Sequence, residues 1–286
     1  MSAVSTAPHD RATAGVGYRA TAGVDPRTWS SGHVLTEIRV LTARSLRAMI
    51  SDPRSVIMAL VMPVVMLVLF SQVFGSVIGT GSLPAGVSYI DYLVPAILVN
   101  TAMQSALQAG VGLTDDMSNG VVARLRSLPI RMTSVLVARS LSDLVRGLVQ
   151  LLLMITLAAL LFGFSPAGGV TGVTAALALA VVVGWSLGWV FLALATWLRN
   201  AELMQTMGML VMFPLMFASS AFVPVGSLPT WLRVIADLNP MTYAVDAARN
   251  LALGTAVGNG ALLAVGISLL LAATGAVSAA TGIRRP

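Results

Sequence analysis

The polar groups that could do chemistry in this sequence are few, and they fall into four sets. Asn100, Gln104 and Gln108 recur every four residues, so on a helix the three amides share one face. Arg139, Asp143 and Arg146 stand four and three apart, a spacing that permits ion pairing along a helix. Asp115 and Asp116 form an acidic pair ahead of Arg124 and Arg126, and Asp237, Asp246 and Arg249 make the fourth set. Amides on one face suit a polar path or hydrogen bonds between helices. An arginine–carboxylate cluster suits a structural ion pair better than a proton relay. The fourth set holds the only acids that could serve a lipid transferase, and packing is the stronger reading for it. What is missing narrows the field further. There is no lysine, so the phosphate-gripping G-x-x-x-x-G-K-[ST] loop is excluded. There is no cysteine, so disulfides and thiolate chemistry are excluded. The two histidines, His9 and His33, precede the apolar part of the chain, which excludes a histidine metal site or a Ser/His/Asp triad within it.

The elements that must position these groups are apolar. Hydrophobic residues make up 57% of the chain and charged residues 10%, too little polarity for a soluble domain of this length. Six apolar stretches run roughly over Val56–Phe74, Tyr92–Leu113, Gly147–Phe162, Val173–Leu198, Leu203–Phe222 and Gly260–Gly282. A spanning helix needs ~20 apolar residues to cross ~30 Å of hydrocarbon. The third stretch is short and reaches that length only by borrowing the turn around Asp143–Arg146. All seventeen basic residues are arginine: seven in 1–55, five in 114–146, then Arg199, Arg284 and Arg285, with only Arg233 and Arg249 on the other side. Basic residues are retained on the cytoplasmic face, so both termini are expected inside, which six crossings satisfy. The net charge of +6 then reflects topology and anionic headgroups, not nucleic acid. The interiors of the six stretches carry no ionisable side chain, which removes most support for ion-coupled transport.

Between the spans the pattern changes. Residues 1–30 lack periodicity and are expected to be a disordered tail with no cleavable signal peptide. Residues 31–52 hold an amphipathic helix near Val34–Ile50, with Arg39, Arg44 and Arg47 off the apolar face, suited to the inner membrane surface. Asp52-Pro53 punctuates the entry to span one, and Pro63 is expected to kink it. Between spans two and three, Asp115 and Asp116 would open a short helix whose face carries Val121, Val122, Leu125 and Leu128, with arginines at its end to suit the helix dipole. Gly184 and Gly188 are spaced for close packing. Span five presents a methionine and phenylalanine surface, including Met209, Met212, Phe213 and Met216, that could accommodate apolar ligands. Ser219–Gly254 reads as two short helices in a re-entrant hairpin, the first near Pro229–Asp237 and the second capped by Asn239 with Pro240 in its first turn.

Three stretches together carry a resemblance: the amphipathic helix, the internal Gly120…Leu125-Arg126-Ser127-Leu128-Pro129-Ile130, and Ser220-Ala221-Phe222-Val223-Pro224…Trp231…Asn239-Pro240-Met241-Thr242-Tyr243…Asp246-Ala247-Arg249. From about residue 33 to 283 the chain resembles the membrane subunit of ABC type-2 exporters, specifically the actinobacterial daunorubicin-resistance permease group. The resemblance implies an all-α integral membrane fold: six spans over residues 53–283, an N-terminal interface helix, a cytoplasmic coupling helix and an external hairpin. It implies dimerisation with a second copy, two separate P-loop ATP-binding subunits, and ATP with magnesium on those partners, no cofactor sitting on this chain. It makes Asp115–Leu128 the coupling helix, Val34–Ile50 the interface helix, and Pro224–Gly254, with Pro224, Trp231, Asn239 and Pro240, the external gate. Many members place Glu in the internal loop where this chain has Asp115 and Asp116. The expected protein is therefore not itself an enzyme but a multi-pass plasma-membrane permease exporting an amphipathic, drug-like molecule. Export of a lipid or glycan is the alternative, and an ion-coupled carrier a weaker one. The substrate path is expected along Asn100, Gln104 and Gln108 of span two and the Met/Phe face of span five.

Overall fold

The computed structural model describes residues 34–51, 53–75, 87–127, 131–222, 225–227, 229–256 and 258–284. Among them every regular element is helical: α1 (Val34–Ser51), α2 (Pro53–Gly75), α3 (Tyr89–Ser118), α4 (Val121–Arg126), α5 (Met132–Phe162), α6 (Gly169–Leu198), α7 (Ala201–Phe217), α8 (Thr230–Leu238), α9 (Pro240–Leu253) and α10 (Asn259–Gly282), with a 3₁₀ turn at Val225–Ser227. The helices α5, α6 and α10 are long and apolar enough to cross a membrane, and α2 and α7 carry shorter apolar segments.

The helix at the centre is the least greasy of the long ones. α3 packs against α2, α5, α6, α7 and α9. Its faces are buried from Tyr92 through Met103 and again at Ala106, Leu107, Ala109 and Gly110. Because protein covers so much of it, α3 can carry Asn100, Thr101, Gln104 and Ser105, which a lipid-facing helix would carry at a cost. The small residues expected to bring helices together do so unequally. A Cβ on Gly184 would lie 2.9 Å from the Cβ of Ala102 and 3.0 Å from its carbonyl oxygen, whereas one on Gly188 would meet nothing within 4 Å. Thus α6 approaches α3 through Gly184 and not through Gly188, while further along Gly110 of α3 lets it approach the Phe191 backbone of α6. Gly184→Ala is expected to lower the thermal midpoint of the detergent-solubilised protein, overpacking costing ~1–3 kcal/mol. Gly188→Ala should leave the midpoint unchanged or slightly raised, because alanine favours helix. Equal effects would show that the glycine spacing, not the Ala102 contact, sets the packing.

Three expectations about boundaries need correction. The third apolar stretch is not a short span with a turn beneath it. α5 is one helix of 31 residues, and Arg139 and Asp143 lie within it; their mutual pairing lets the helix run through them. The fifth stretch stops being helical at Phe217, five residues before its apolar run ends. Finally, Asp115 and Asp116 do not open the internal helix. They belong to the last turn of α3, which closes at Asn119. Gly120 then takes the left-handed conformation (φ 72°) and α4 starts after it, only six residues long. Carboxylates at a helix C-terminus oppose its dipole, and the compensation comes from another helix. Pro63 sits within α2 without ending it; Asp52 lies outside the described residues.

Candidate functional site

Two polar clusters sit at opposite ends of α3, and each is built from helix termini. The first surrounds the bend that follows α7. A helix ends with unpaired carbonyls, and in an apolar medium these must find donors in protein. Asn239 supplies two. Its Nδ2 donates to the carbonyls of Leu215 and Ala218, each at 2.7 Å. Its Oδ1 meanwhile accepts from the Met241 amide at 2.9 Å, capping α9. Beyond Ala218 the chain is irregular and buried. The Arg249 Nη2 donates to Ser220 at 2.9 Å and to Ala221 at 3.4 Å, the Tyr92 hydroxyl donates to Ser220 at 3.5 Å, and the Tyr89 hydroxyl donates to Phe222 at 3.4 Å. Phe222 also stacks on Phe70, ring centroids 4.1 Å apart, which brings α2 to the same bend.

Arg249 is the centre of this knot. It is 6% exposed, yet every part of its guanidinium is used. Nε donates to the Tyr92 carbonyl at 3.1 Å and Nη1 to the Asp246 carboxylate at 2.9 Å. The carbon Cζ lies 3.6 Å from the centroid of the Tyr92 ring, a cation–π contact. Burial pulls the guanidinium below its ordinary value, opposed by Tyr92 and Asp246. The cluster therefore sets the Arg249 guanidinium against the Asp246 carboxylate, with the Tyr89 and Tyr92 hydroxyls donating to backbone carbonyls. Asp237 does not join it; its backbone carbonyl accepts the Tyr243 hydroxyl at 2.7 Å, so no convergent acid pair forms here. Asn239→Asp separates the two duties of that residue. Aspartate caps a helix as well as asparagine but has no donor for the α7 carbonyls. It is expected to cost at least as much stability as Asn239→Ala, about 2 kcal/mol or more; a near-neutral melting shift would mean the α7 carbonyls do not depend on it.

The second cluster lies where α3, α4, α5 and α10 end or begin. Arg139 of α5 pairs with Asp143 one turn on at 2.9 Å, and its Nη1 reaches across to Asp116 of α3. The pairing with Asp143 therefore comes from Arg139 rather than Arg146. Arg126 of α4 donates to the Ile283 carbonyl at 2.7 Å, placing a cation on the C-terminal end of α10. Beside Asp143, a notch of about 30 Å³ between α3, α5 and α6 is lined by Ser105, Ser140, Gly147 and Gly184.

The residues singled out from sequence are distributed as follows. Val122 is buried within its own chain; Val121 and Leu125 are half-buried, Asp115 is exposed, and Leu128 lies outside the described residues. Arg39, Arg44 and Arg47 are exposed along α1, which packs on α5, its Thr42 hydroxyl donating to the Ala138 carbonyl of α5 at 3.5 Å. The amide stripe is graded: Asn100 is buried with its Oδ1 unpartnered, Gln104 half-buried and Gln108 exposed. On α7, Met209 and Phe213 are exposed, while Met212 and Met216 face inward. Met212 lines an apolar cavity that contains none of the three amides, so the stripe and the buried methionines do not meet. Trp231 is exposed on α8; Pro240 is exposed and Asn239 buried at the start of α9, and Pro224 lies outside the described residues. Tyr92 and the donor role of Asn239 went unrecognised from sequence, and so did the reach of Arg126 to Ile283. Arg249 carried one signal, as one of only two arginines on the sparsely charged side.

Comparison with known proteins agrees with this architecture. The model of the ABC-2 type transporter family matches residues 36–253, from α1 to the end of α9. A daunorubicin resistance ABC transporter permease protein, DrrB1 of Streptomyces coeruleorubidus, is 32% identical over 213 residues, covering 74% of each chain. A protein of Mycobacterium tuberculosis described as a doxorubicin resistance ABC transporter permease, DrrC, is 28% identical over 249 residues, 85% of this chain and 87% of that one. A transport permease of Porphyra purpurea, ycf38, is 29% identical over 226 residues, 78% and 76% of the two chains. With its helical membrane architecture and a match over most of its length, the chain belongs to the ABC-2 type transporter family, as a membrane-embedded permease.

Proposed function

We propose that this chain is one half of the membrane pathway of an ATP-driven exporter. Two copies sit over two separate P-loop ATPase subunits, which carry the ATP and magnesium. Six spans, α2, α3, α5, α6, α7 and α10, cross the plasma membrane with both termini in the cytoplasm, and α8 and α9 form a re-entrant hairpin at the outer side. The one-sided arginine distribution supports that orientation. The absence of lysine supports a separate ATPase, since this chain lacks the lysine with which a P-loop holds nucleotide phosphates.

The observation that carries the reading is α4. It is a short helix held between the ends of the long ones, with Leu125 partly exposed and Arg126 bonded to the end of α10. A helix so placed suits docking in a groove of a partner. Movement of α4 would pass to α10 through Arg126 and Ile283, and to α5 through the end of α3, where Asp116 meets Arg139. Asp115 and α1, through Arg39, Arg44 and Arg47, add exposed charge for the same partner. The cargo path runs between the two copies along Gln104 and Gln108 of α3 and the exposed Met209 and Phe213 of α7, and Trp231, Asn239 and Pro240 form the outer gate. The names of the relatives support an amphipathic, drug-like cargo.

The test is co-purification of a P-loop ATPase with this chain from its native membranes, followed by drug-stimulated ATP hydrolysis and vesicle transport. Leu125→Glu is expected to abolish stimulation and transport while leaving the amount of chain in the membrane unchanged. Transport by the chain without any ATPase would overturn the reading.

A further inference from the structure

We propose that the apolar cavity bounded by α6, α7 and α10 is a binding site for the acyl chain of a bilayer lipid. The cavity holds about 230 Å³. Its deep wall is formed by Met103, Phe191, Met212 and Met241, all buried, and Pro240 with Met241 brings the first turn of α9 over it. Ser268 carries the only polar side chain in its lining, and no charged group reaches it.

Where the cavity opens decides what reaches it. Among its lining residues the exposed ones are Leu194 of α6, Met207 and Val211 of α7 and Ile267 of α10, between 37% and 56% exposed, together with Pro240 at the start of α9. The mouth is therefore a lateral slot, bordered by α7 on one side and α10 on the other. The slot exists because α7 rests on α3 and has little contact with α6, while α10 packs on α6 and α9; α7 and α10 do not pack against each other. The exposed rim residues Met207 and Val211 of α7 and Ile267 of α10 lie within their helices, away from the ends. In the six-span arrangement proposed above, on which this inference rests, the medium facing the slot at that depth is hydrocarbon.

Chemistry then selects the occupant. A void walled by Met, Leu, Val, Ile and Phe stays free of water and accepts apolar groups. Pockets for drug-sized molecules span ~300–1,000 Å³ and place a few polar groups to orient the ligand. This cavity is smaller and has one hydroxyl. A flexible methylene chain entering end-on fits both facts, and the unbranched methionine walls can conform to it. The site is separate from the proposed cargo path, since Gln104, Gln108, Met209 and Phe213 do not line it.

The full chain, reconstituted without nucleotide in vesicles of phosphatidylethanolamine and phosphatidylglycerol, would be irradiated with a trace phospholipid bearing a diazirine midway along one acyl chain. Labelled peptides would then be mapped. We expect label on buried Met212 and Met241 as well as on the rim. Ala264→Phe, which fills the cavity, should remove most of the deep label while the exposed α2 positions Met58 and Met62 label as before. Val211→Trp at the mouth gives the same test if the filled variant does not reach the membrane. Label confined to outward faces, with no loss on filling, would overturn the proposal. So would displacement of the deep label by daunorubicin, which would make this a cargo site, or spontaneous disulfide formation between copies carrying Val211→Cys, which would make the slot a protein interface. No ATPase enters the assay, so its failure is distinguishable from failure of the exporter reading.

Discussion

Arg249→Leu is expected to be the most damaging single substitution in the described part of the molecule. Leucine fills a similar volume but donates nothing, so the carbonyls of Ser220, Ala221 and Tyr92 lose a charge-assisted donor in a buried setting. Breaking such an arrangement costs ~3–5 kcal/mol, enough to lower the melting temperature sharply and deplete the chain from membranes. Arg249→Lys keeps the charge but replaces a planar fork with a point donor, so it should recover only part of the loss. Asp246 provides the control. Its side chain is 45% exposed, so Asp246→Ala should cost no more than ~1 kcal/mol. Thermal unfolding in detergent, followed by size-exclusion chromatography, ranks the three. If Asp246→Ala proves as harmful as Arg249→Leu, the ion pair rather than the carbonyl network holds α9 to α3 and to the end of α7. The same variants test transport. The knot ties α9, α3 and the end of α7, so any movement of α9 away from α3 must break these bonds together.

Arg139→Ala is expected to have the next largest effect, and a double substitution should partly reverse it. Removal of the guanidinium leaves Asp143 and Asp116 without their shared cation. Asp143 has a side chain 18% exposed, while Asp116 is 42% exposed and can turn to solvent. A cost of ~2–4 kcal/mol follows, somewhat below that of a fully buried pair. Asp143→Asn in the Arg139→Ala background removes the uncompensated charge and should restore a large part of the stability. Asp116→Asn should restore less. The coupling read from this double-mutant cycle is expected to exceed ~1 kcal/mol for Arg139 with Asp143; strict additivity would show that the two do not interact. The Arg139–Asp116 bond also joins the end of α3 to α5, so the single variant should lose drug-stimulated ATP hydrolysis out of proportion to its loss of stability.

Much of the helical layout was legible because its signals are local. Asn239, Pro240 and Gly254 bracket α9 as cap, first turn and left-handed stop, and each acts on residues within a turn of itself. The periodicity of residues 34–50 and the long apolar runs predict helices for the same reason. The boundaries that moved were those governed by partners distant in sequence. The apolar run continues to Phe222, but α7 stops at Phe217 because Asn239, Arg249, Tyr92 and Tyr89 receive the carbonyls on and beyond its end. Asp115 and Asp116 looked like the start of a helix by dipole alone; the Arg139 side chain, twenty-three residues beyond Asp116, lets Asp116 sit at the end of one.

The sequence by itself determined that this is an apolar helical membrane protein with no lysine, no cysteine and no histidine beyond His33. Composition and short-range periodicity are properties of the unfolded chain and need no partner to be read. The tertiary structure alone decided which polar groups meet. Arg249 finds the Tyr92 carbonyl and Arg126 that of Ile283, each across 157 residues. It also decided that α7 stands off from α10 to leave a slot. Such contacts depend on how whole helices pack, and a helix's own pattern specifies which face is apolar without specifying which neighbour will cover it.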